Sequence, residues 1–227
     1  MQKSEPSSEA GSGVVRRRGR PRSFDRKAAL ETATRLFWSK GFEATSIADL
    51  TQALGIGAPS LYAAFGSKEA LYAEALRHYA EQNEGYVWAG FDAAPTARAA
   101  VRSLLMDSAA ALTGCVGDFP RGCMVTLSSV GSEGHTELGE IVRQARAITR
   151  ERLLARLEQA VSAGEIATGT DLHGLACFVQ TVQNGMSILA RDGAARQDLE
   201  AVAEVALAGW DAKVAGATRT VPDPVKP

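Results

Sequence analysis

The residues best suited to bind a polyanion lie near the start of this 227-residue sequence, where arginine is concentrated. The arginines in this cluster are Arg16, Arg17, Arg18, Arg20 and Arg22. Gly19 and Pro21 interrupt them and keep the segment extended and slim. Because guanidinium groups bind phosphate oxygens through paired hydrogen bonds, this basic arm, residues 16–22, predicts contact with nucleic acid.

Charge is divided unevenly along the chain, although the formal net charge is only −1. Residues 16–80 carry 11 Lys and Arg against 6 Asp and Glu, whereas residues 81–227 carry 13 against 18. Such asymmetry indicates one part that faces nucleic acid and a second part that does not.

Few other side chains suggest reactive chemistry. The cysteines Cys115, Cys123 and Cys177 form no C-x-x-C pair, so we expect free thiols in a reducing cytosol. Metal or redox sensing through Cys115 and Cys123 is the alternative. The histidines are scattered, and neither a Ser/His/Asp set nor paired carboxylates stand out. We therefore predict no metal, no cofactor and no enzymatic activity; an all-α enzyme acting on a small molecule is the alternative.

The elements that must position these residues are predicted to be helices. Apolar residues make up 45% of the chain, and alanine is abundant while strand-like alternation is rare, which predicts an all-α fold. Gly and Pro breaks divide the chain into about nine helices, over approximately 25–40, 46–54, 58–64, 67 onward, 96–112, 123–130, 136–163, 171–191 and 198–214. No stretch resembles a signal peptide or a membrane span, so we expect a soluble, cytoplasmic protein.

Two of the short helices form a predicted helix-turn-helix with the turn at residues 54–57. Leu50, Leu54, Ile56 and Leu61 are spaced to pack on one core with the first helix, leaving the opposite face of the third helix exposed. Glycine-turn hairpins also occur in other all-α proteins. The adjacent arm and the positive charge favour DNA binding.

The exposed face offers several contacts to a duplex. Small Ala58 and Pro59 suit thymine methyl groups, while the hydroxyls of Ser60 and Tyr62 suit phosphates, although Tyr62 at this spacing also fits a core position. Lys68, at the next helix N-terminus, can clamp a phosphate with charge and dipole.

Thr45 and Ser46 precede the second helix and are expected to cap it. Capping by their side chains leaves other backbone N–H groups of that first turn available to a DNA phosphate.

Residues 24–72 resemble the N-terminal domain of the TetR family of bacterial transcriptional regulators. The shared motifs are A-x-x-L-F-x-x-K-G-F-x-x-T-S-I-x-D-L followed by L-G-I-x-x-x-S-L-Y-x-x-F-x-S-K-E-x-L. The resemblance implies that the third helix is the recognition helix, that the positions of Ala58, Pro59, Ser60, Tyr62 and Lys68 touch DNA, and that a larger helical domain binds an effector and dimerises.

This resemblance predicts a ligand-responsive homodimeric repressor of a pseudo-palindromic operator, in four parts. These are a disordered tail with the basic arm (1–22), a helix-turn-helix domain (23–80), an effector-binding and dimerisation domain (81–215) and a disordered tail (216–227). Members of the family often carry bulkier residues where Ala63 and Ala64 stand. We therefore expect this recognition helix to make few base-specific contacts.

The sequence motifs of the second domain are less specific, although the segments 120–125 and 191–194 resemble a TetR-type C-terminal domain. Residues expected to line a cavity for a small apolar effector are Trp88, Phe91, Leu105, Met124, Leu127, Phe178 and Gln183. Residues expected at a subunit interface of the last two helices are Val179, Met186, Leu199, Val202, Val205 and Ala206. Ordinary intramolecular core is the alternative for both sets, and a ligand-independent DNA-binding protein is the corresponding alternative function.

The arm itself has two interpretations. Arg18, Gly19, Arg20 and Pro21 resemble the AT-hook, which lays arginines along the narrow minor groove of A·T-rich DNA, and Arg22 extends the same segment. The other interpretation is that Arg18, Arg20 and Arg22 bind phosphates without regard to sequence.

Overall fold

The computed structural model describes residues 24–117, 119–132 and 134–218, and over these residues the protein is all-α, with nine α-helices and no strand. The helices are α1 (Arg26–Lys40), α2 (Ile47–Leu54), α3 (Ala58–Phe65), α4 (Lys68–Val87), α5 (Ala89–Ala93), α6 (Ala97–Leu112), α7 (Thr136–Ser162), α8 (Leu172–Arg191) and α9 (Arg196–Thr218). No helix in the described part of the chain is both long and apolar enough to cross a membrane.

Side-chain caps and left-handed glycines set the boundaries of the first helices. Asp25 accepts hydrogen bonds from the N–H groups of Lys27 and Ala28 at the start of α1. Ser46 and Asp49 form a reciprocal capping box at the start of α2. Gly55 ends α2 with φ +66°, which lets the chain turn sharply into α3. The predicted ends of these helices are confirmed.

The first four helices share a small core, which we call the head. Leu50 of α2 and Leu61 of α3 are fully buried against Phe37 of α1, and Leu36, Leu54 and Ile56 pack partly buried around them. The ring of Tyr72, on α4, meets Phe37 edge-on with centroids 5.0 Å apart. The predicted packing of the helix-turn-helix on α1 is therefore confirmed.

The remaining helices form a second bundle centred on α6. Leu104 and Leu105 of α6 are completely buried in a cluster that includes Leu157 of α7 and Leu199 of α9. The long helix α4 belongs to both parts, because its first half packs in the head and its second half packs on α5 and α6. The boundary expected near residue 80 thus lies within a continuous helix.

One predicted helix does not form. Residues 123–130 form an isolated turn, with the N–H of Leu127 donating to the carbonyl oxygen of Cys123, and a single 3₁₀ turn follows at Val130–Ser132. The turn does not continue as a helix, because distant side chains bind other backbone groups of the segment. The N–H of Cys123 donates to the hydroxyl of Ser187 (2.8 Å), and the guanidinium of Arg146 donates to three carbonyls of this segment. Two further differences are that α5 was not predicted and that α9 continues to Thr218, into the expected tail.

Candidate nucleic-acid interface and cavity

The helix α3 buries one side and exposes the other. Leu61 and Phe65 point into the head core, whereas Pro59, Ser60 and Tyr62 are exposed, with Tyr62 retaining 45% of its accessible surface. Ala58 is half-buried at the first position of the helix. The predicted orientation is therefore confirmed for the exposed face, and Tyr62 is not a core residue.

The polar groups on this face are free to bind a ligand. The hydroxyls of Ser60 and Tyr62 have no hydrogen-bond partner within the described part of the chain. Gly57, the N-cap of α3, provides no side-chain cap. Pro59 has no N–H, and the N–H groups of Ser60 and Leu61 donate to the Gly57 carbonyl oxygen, so among the described residues the N–H of Ala58 is the donor of this first turn that stays without a partner. Two hydroxyls and a helix N-terminus on one exposed, slim surface suit an approach to a phosphate-lined groove.

Lys68 lies at the first position of α4, close to the head surface. Its ammonium nitrogen is 4.2 Å from the centre of the Phe42 ring, and it forms no ion pair with a carboxylate among the described residues. A cation over an aromatic face at a helix N-terminus leaves the positive charge available to an anion.

The neighbouring residues Thr45 and Ser46 have different roles. The hydroxyl of Thr45 is completely buried and donates to the carbonyl oxygen of Gly41 (2.6 Å), so its side chain cannot reach DNA. This corrects the expectation that Thr45 caps α2. Ser46 caps α2 as expected and is exposed, although its hydroxyl already interacts with Asp49.

Ion pairs neutralise most of the other charges around the helix-turn-helix. Arg26 pairs with Glu74 at 2.6 Å and Lys40 pairs with Asp49 at 2.9 Å. The hydrogen bonds from Arg26 lower the pKa of Glu74, and the backbone N–H of Ser46, together with Lys40, holds the pKa of Asp49 well below its usual range. Both acidic groups therefore stay ionised at neutral pH.

The described part of the head has no excess of positive charge. Residues 24–80 carry 6 Lys and Arg and 6 Asp and Glu, so the excess seen in the sequence belongs to the basic arm. Arg18, Arg20 and Arg22 lie outside the described residues. The helix-turn-helix can therefore contribute shape complementarity and hydrogen bonds to DNA binding, but it has no net positive charge to attract the duplex.

A cavity of about 190 Å³ lies between α4, α6, α7, α8 and the segment 122–126. Three aromatic side chains line it: Trp38, Tyr79 and Trp88. Three amide side chains from α8 also line it: Gln180, Gln183 and Asn184. A concave site with aromatic walls and a few polar groups is typical of small-molecule binding sites.

Two of the residues predicted to line such a cavity do so, namely Trp88 and Gln183. Phe91, Leu105 and Met124 are instead buried in the cores of the protein. Leu127 and Phe178 lie outside the cavity, and Phe178 is 40% exposed. Helical periodicity identifies apolar faces, but it does not tell a cavity wall from a filled core.

The prediction also missed the contribution of the head to the cavity. Trp38 belongs to α1, and its ring meets that of Tyr79 edge-on with centroids 4.7 Å apart. Burial raises the pKa of Tyr79 well above its usual value, and its interaction with the Cys123 thiol acts in the same direction. The adjacent aromatic residues Phe37 and Trp38 could have indicated this contribution. They point to different sides of α1, so a helix that buries both must be covered on two sides.

The junction between the two parts brings together the segments 120–125 and 191–194. Arg121 donates to the carbonyl oxygens of Ala190 (2.8 Å) and Ala194. Arg191 donates to the carbonyl oxygens of Trp38 (2.8 Å) and Ser39 (3.1 Å) at the end of α1. The Arg121 bonds connect the segment 120–125 to the end of α8, and the Arg191 bonds connect the end of α8 to the head.

The residues predicted for a subunit interface are mostly internal. Val179, Met186, Leu199 and Ala206 are buried in the core of the protomer, and Val202 is half-buried. Val205 is 75% exposed. The faces predicted to meet a partner therefore pack largely on α6 and on each other, and this corrects the choice of those four residues.

A different apolar surface of α8 and α9 is exposed. Its members, which we call the α8/α9 face, are Phe178, Leu189, Ala201, Val205, Ala208 and Ala212. The spacings within each helix place its residues on one side of that helix. A Cβ at Gly209 would lie 3.9 Å from the Phe178 ring, so the two helices are in contact at this surface. A contiguous apolar patch of this kind is typical of protein interfaces.

The chain is similar to known proteins over nearly its whole length. Residues 29–75 match the sequence profile described as bacterial regulatory proteins, tetR family. The HTH-type transcriptional repressor ComR of Escherichia coli (strain K12) is 36% identical over 204 residues, which are 87% of this chain and 94% of ComR. The repressor BdcR of the same organism is 52% identical over 61 residues, 27% of this chain and 31% of BdcR.

Among solved structures, a cysteine mutant of the TetR family transcriptional regulator CifR, complexed with 26-bp double-strand operator DNA, has a TM-score of 0.78. It is 41% identical and covers 85% of this chain and 100% of the CifR chain.

Proposed function

This chain belongs to the TetR family of bacterial regulatory proteins, and we propose that it is a homodimeric repressor which a small apolar molecule releases from a pseudo-palindromic operator. The observation that carries the proposal is the exposed face of α3, where the hydroxyls of Ser60 and Tyr62 have no hydrogen-bond partner among the described residues. The likeness of the whole chain to a repressor and to a regulator bound to operator DNA supports it.

We propose that α3 enters the major groove by its N-terminal half. Pro59 and Ala58 then contact bases, Ser60 and Tyr62 reach phosphates or base edges, and Lys68 and the first turn of α2 after Ser46 hold the backbone on either side. The basic arm, with Arg18, Arg20 and Arg22, follows the duplex beyond the head. Its arginines supply the positive charge that the rest of the head lacks.

Dimerisation supports this function because each α3 is only eight residues long and reads few bases. We propose that the α8/α9 face packs on its copy in a second chain, as a four-helix interface. Small residues on α9 permit close approach, and Phe178 fills the space above Gly209. Two recognition helices about 34–36 Å apart, one helical turn of DNA, would then meet the two halves of the operator.

The cavity supports control by a small molecule. A ligand can change operator affinity only if it binds one conformation of the protein better than the other. The cavity is lined both by Trp38 of the head and by side chains of α4 and α8, so its shape depends on how these elements are arranged. A ligand that fits when the heads are spread apart would therefore favour release.

The test is a footprint of the purified protein on the DNA upstream of its own gene and of the adjacent genes. We expect protection of a pseudo-palindrome by a dimer, and loss of protection with an α3 variant carrying both Ser60→Ala and Tyr62→Ala. Protection that persists with this variant would contradict the placement of α3. Repression is tested by a reporter driven from the same DNA, where activation in place of repression would contradict that part of the proposal.

A further inference from the structure

One cation on the wall of the cavity has no counter-ion. Arg146 of α7 lines the cavity, and no carboxylate pairs with it in the described part of the chain. Its Nε and Nη2 donate to the carbonyl oxygens of Val125, Thr126 and Ser128, which leaves both N–H groups of Nη1 unused among the described residues. Carbonyl groups are dipoles without net charge, so they hold the guanidinium in place but do not balance its charge.

The acidic residue on the wall does not supply the missing negative charge. Glu84 pairs with Arg152 at 2.5 Å, and Arg152 also binds Asp92 at 2.7 Å. The Glu84 side chain keeps 56% of its accessible surface, so water and salt screen its charge. An anionic ligand would therefore gain an ion pair with Arg146 in return for its lost hydration, whereas a cationic ligand would gain no free partner.

The other polar groups of the wall are amides, hydroxyls, indole N–H groups and the Cys123 thiol. Some of them bind one another, as where Nε2 of Gln183 donates to the Ser108 hydroxyl (2.8 Å). The Thr149 hydroxyl, almost one turn after Arg146 on the same side of α7, has no partner within the described part of the chain. Such groups can hydrogen-bond either a charged or an uncharged ligand, so the charge that the cavity favours is determined by Arg146.

The rest of the cavity suits an apolar body of limited size. The rings of Trp38, Tyr79 and Trp88 line it, and aromatic side chains contribute large apolar surfaces. A cavity of about 150 Å³ in another protein binds benzene. The volume of about 190 Å³ therefore leaves room for one ring, or a short alkyl chain, with one small polar group.

Arg146 also connects the cavity to the head. Ser128, whose carbonyl oxygen accepts from the guanidinium, has its hydroxyl oxygen 2.9 Å from the hydroxyl oxygen of Tyr72. The Tyr72 ring lies 5.0 Å from the Phe42 ring between centroids, and the ammonium of Lys68 lies 4.2 Å from the centre of that second ring. A carboxylate that draws the guanidinium toward the cavity would thus pull on the segment that holds Tyr72.

We propose that the effector is a small organic acid whose carboxylate binds Nη1 of Arg146, and that the hydrogen bond between Ser128 and Tyr72 transmits this binding to the head. The proposal rests on the effector-controlled repression proposed above. It adds the charge of the mainly apolar effector and the residue that binds it. Ser128 and Tyr72 do not line the cavity, so they are positioning residues whose role is separable from binding.

The charge of the ligand is tested with two pairs of probes, benzoate with benzamide and hexanoate with hexanamide, whose members differ in charge and little in shape. We expect calorimetry to show, for at least one pair, that the carboxylate binds at least about tenfold more tightly than its amide, because a hydrogen bond to a charged group is the stronger one. A smaller difference in both pairs, or no binding of either carboxylate at millimolar concentration, overturns the ligand class. Operator binding by the free protein in the same preparation shows that the proposed repressor function stands in that case.

Arg146→Gln tests the residue that binds the carboxylate. The carboxylate should lose at least about tenfold in affinity, while its amide should bind nearly as before. Arg143→Gln is the matched control, since Arg143 is exposed on the same helix and pairs with Glu140, and it should leave both affinities unchanged. Equal losses for carboxylate and amide in a folded Arg146→Gln variant overturn the assignment.

A crystal structure of the natural chain with the bound carboxylate serves if Arg146→Gln does not fold. We expect a carboxylate oxygen within about 3.2 Å of Nη1 of Arg146. A carboxylate bound elsewhere overturns the assignment.

The coupling is tested by measuring operator affinity with and without the saturating carboxylate. For the natural chain we expect the Kd for operator to rise at least about tenfold, within the usual range of allosteric coupling. In Tyr72→Phe, or in Ser128→Ala if that variant does not fold, the ratio should fall to nearly one while the carboxylate still binds. Tyr86→Phe, at an exposed tyrosine of the same helix α4, is the matched control and should keep the full ratio.

Two results overturn the role of the hydrogen bond between Ser128 and Tyr72. One is full coupling in a folded Tyr72→Phe or Ser128→Ala variant with the carboxylate bound. The other is binding of the carboxylate to the natural chain without any change in operator affinity.

Discussion

Tyr62 gives the most direct test of the DNA interface, because its ring is exposed and its hydroxyl is unpaired within the described part of the chain. We expect Tyr62→Ala to weaken operator binding by about 1–3 kcal/mol, and Lys68→Ala by a similar amount. The reason differs, since Lys68→Ala removes a phosphate contact and should weaken binding to all sequences alike. Gel-shift titrations on operator and on unrelated DNA measure both effects.

A second tyrosine on the same protein provides the control. Tyr86, near the end of α4, is also 45% exposed, and it lies far along the helix from the recognition surface. Tyr86→Ala should leave operator affinity unchanged, and all three variants should unfold at temperatures close to that of the natural chain. Equal losses from Tyr62→Ala and Tyr86→Ala would contradict the assignment of the recognition face.

Two examples show which side-chain orientations could be predicted from the sequence. Helical spacing placed Tyr62 on the face opposite Leu61 and Phe65 but also allowed it a core position, and its exposure in the structure decides between the two. Thr45 and Ser46 were not distinguishable in this way. Two adjacent hydroxyls before a helix are equivalent in a pattern, and only the buried bond from Thr45 to the carbonyl of Gly41 shows which one turns inward.

Gly122 is the element-scale test of the junction between the two bundles. It has φ +79°, and a Cβ there would lie 2.6 Å from a methyl group of Leu127 and 2.9 Å from the carbonyl oxygen of Ser187. We expect Gly122→Ala to lose about 1 kcal/mol through its backbone conformation and a further 1–3 kcal/mol through the clash. Urea unfolding measures the free energy of unfolding.

A substitution at Gly164 separates the cost of the backbone conformation from the cost of the clash. Its φ of +74° is close to that of Gly122, but no atom lies within 4 Å of the position where a Cβ would be. Gly164→Ala should therefore lose only the conformational part, about 1 kcal/mol. If both variants lost the same free energy, the junction would not be tightly packed around Gly122.

The ends of the helices were predictable where a capping side chain or a glycine marks them in the sequence. Asp25, Ser46 and Gly55 mark the ends of α1 and α2 in the sequence, and the structure has the ends there. The predicted helix over 123–130 failed because its backbone groups bind side chains from α7 and α8, above all Arg146 and Ser187. Those partners are distant in sequence, so no local pattern indicates them.

At the scale of the whole molecule, burial within one chain has to be distinguished from burial between chains. Val179 and Met186 have the helical spacing of an interface, but both are core residues of the protomer. Periodicity shows that a face is buried without showing what covers it. The apolar residues that stay exposed in the protomer, such as Phe178 and Val205, carry this information, and only the structure identifies them.

Val205 is the residue with which to test the α8/α9 face. Because it is 75% exposed, Val205→Glu should leave the folding of the protomer nearly unchanged while placing two carboxylates in a symmetric interface. We expect light scattering to show monomers at concentrations where the natural chain is dimeric, together with a loss of operator binding. Ala155→Glu, at an exposed position on α7, should stay dimeric, and a dimeric Val205→Glu would contradict this choice of interface.

The distribution of charge leads to a prediction for the basic arm. Residues 24–80 carry equal numbers of acidic and basic residues, so most of the electrostatic attraction to DNA must come from residues 16–22. The logarithm of affinity falls with the logarithm of salt concentration by about 0.9 for each phosphate neutralised. Deleting residues 1–22 should therefore make the salt dependence of operator binding markedly shallower, by several units for a dimer. An unchanged slope would show that the arm does not contact phosphates.

The same deletion separates the two interpretations of Arg18, Arg20 and Arg22. If these arginines bind phosphates alone, deletion should weaken binding equally for operators with A·T-rich and G·C-rich flanks. If they enter the minor groove, the loss should be greater for the A·T-rich flanks, because the narrow groove there concentrates negative potential. Replacing the three arginines with lysine is the sharper variant, since it keeps the charge while removing the preference of arginine for the narrow groove. Retained A·T preference in the lysine variant would exclude minor-groove reading by these side chains and leave base recognition to α3.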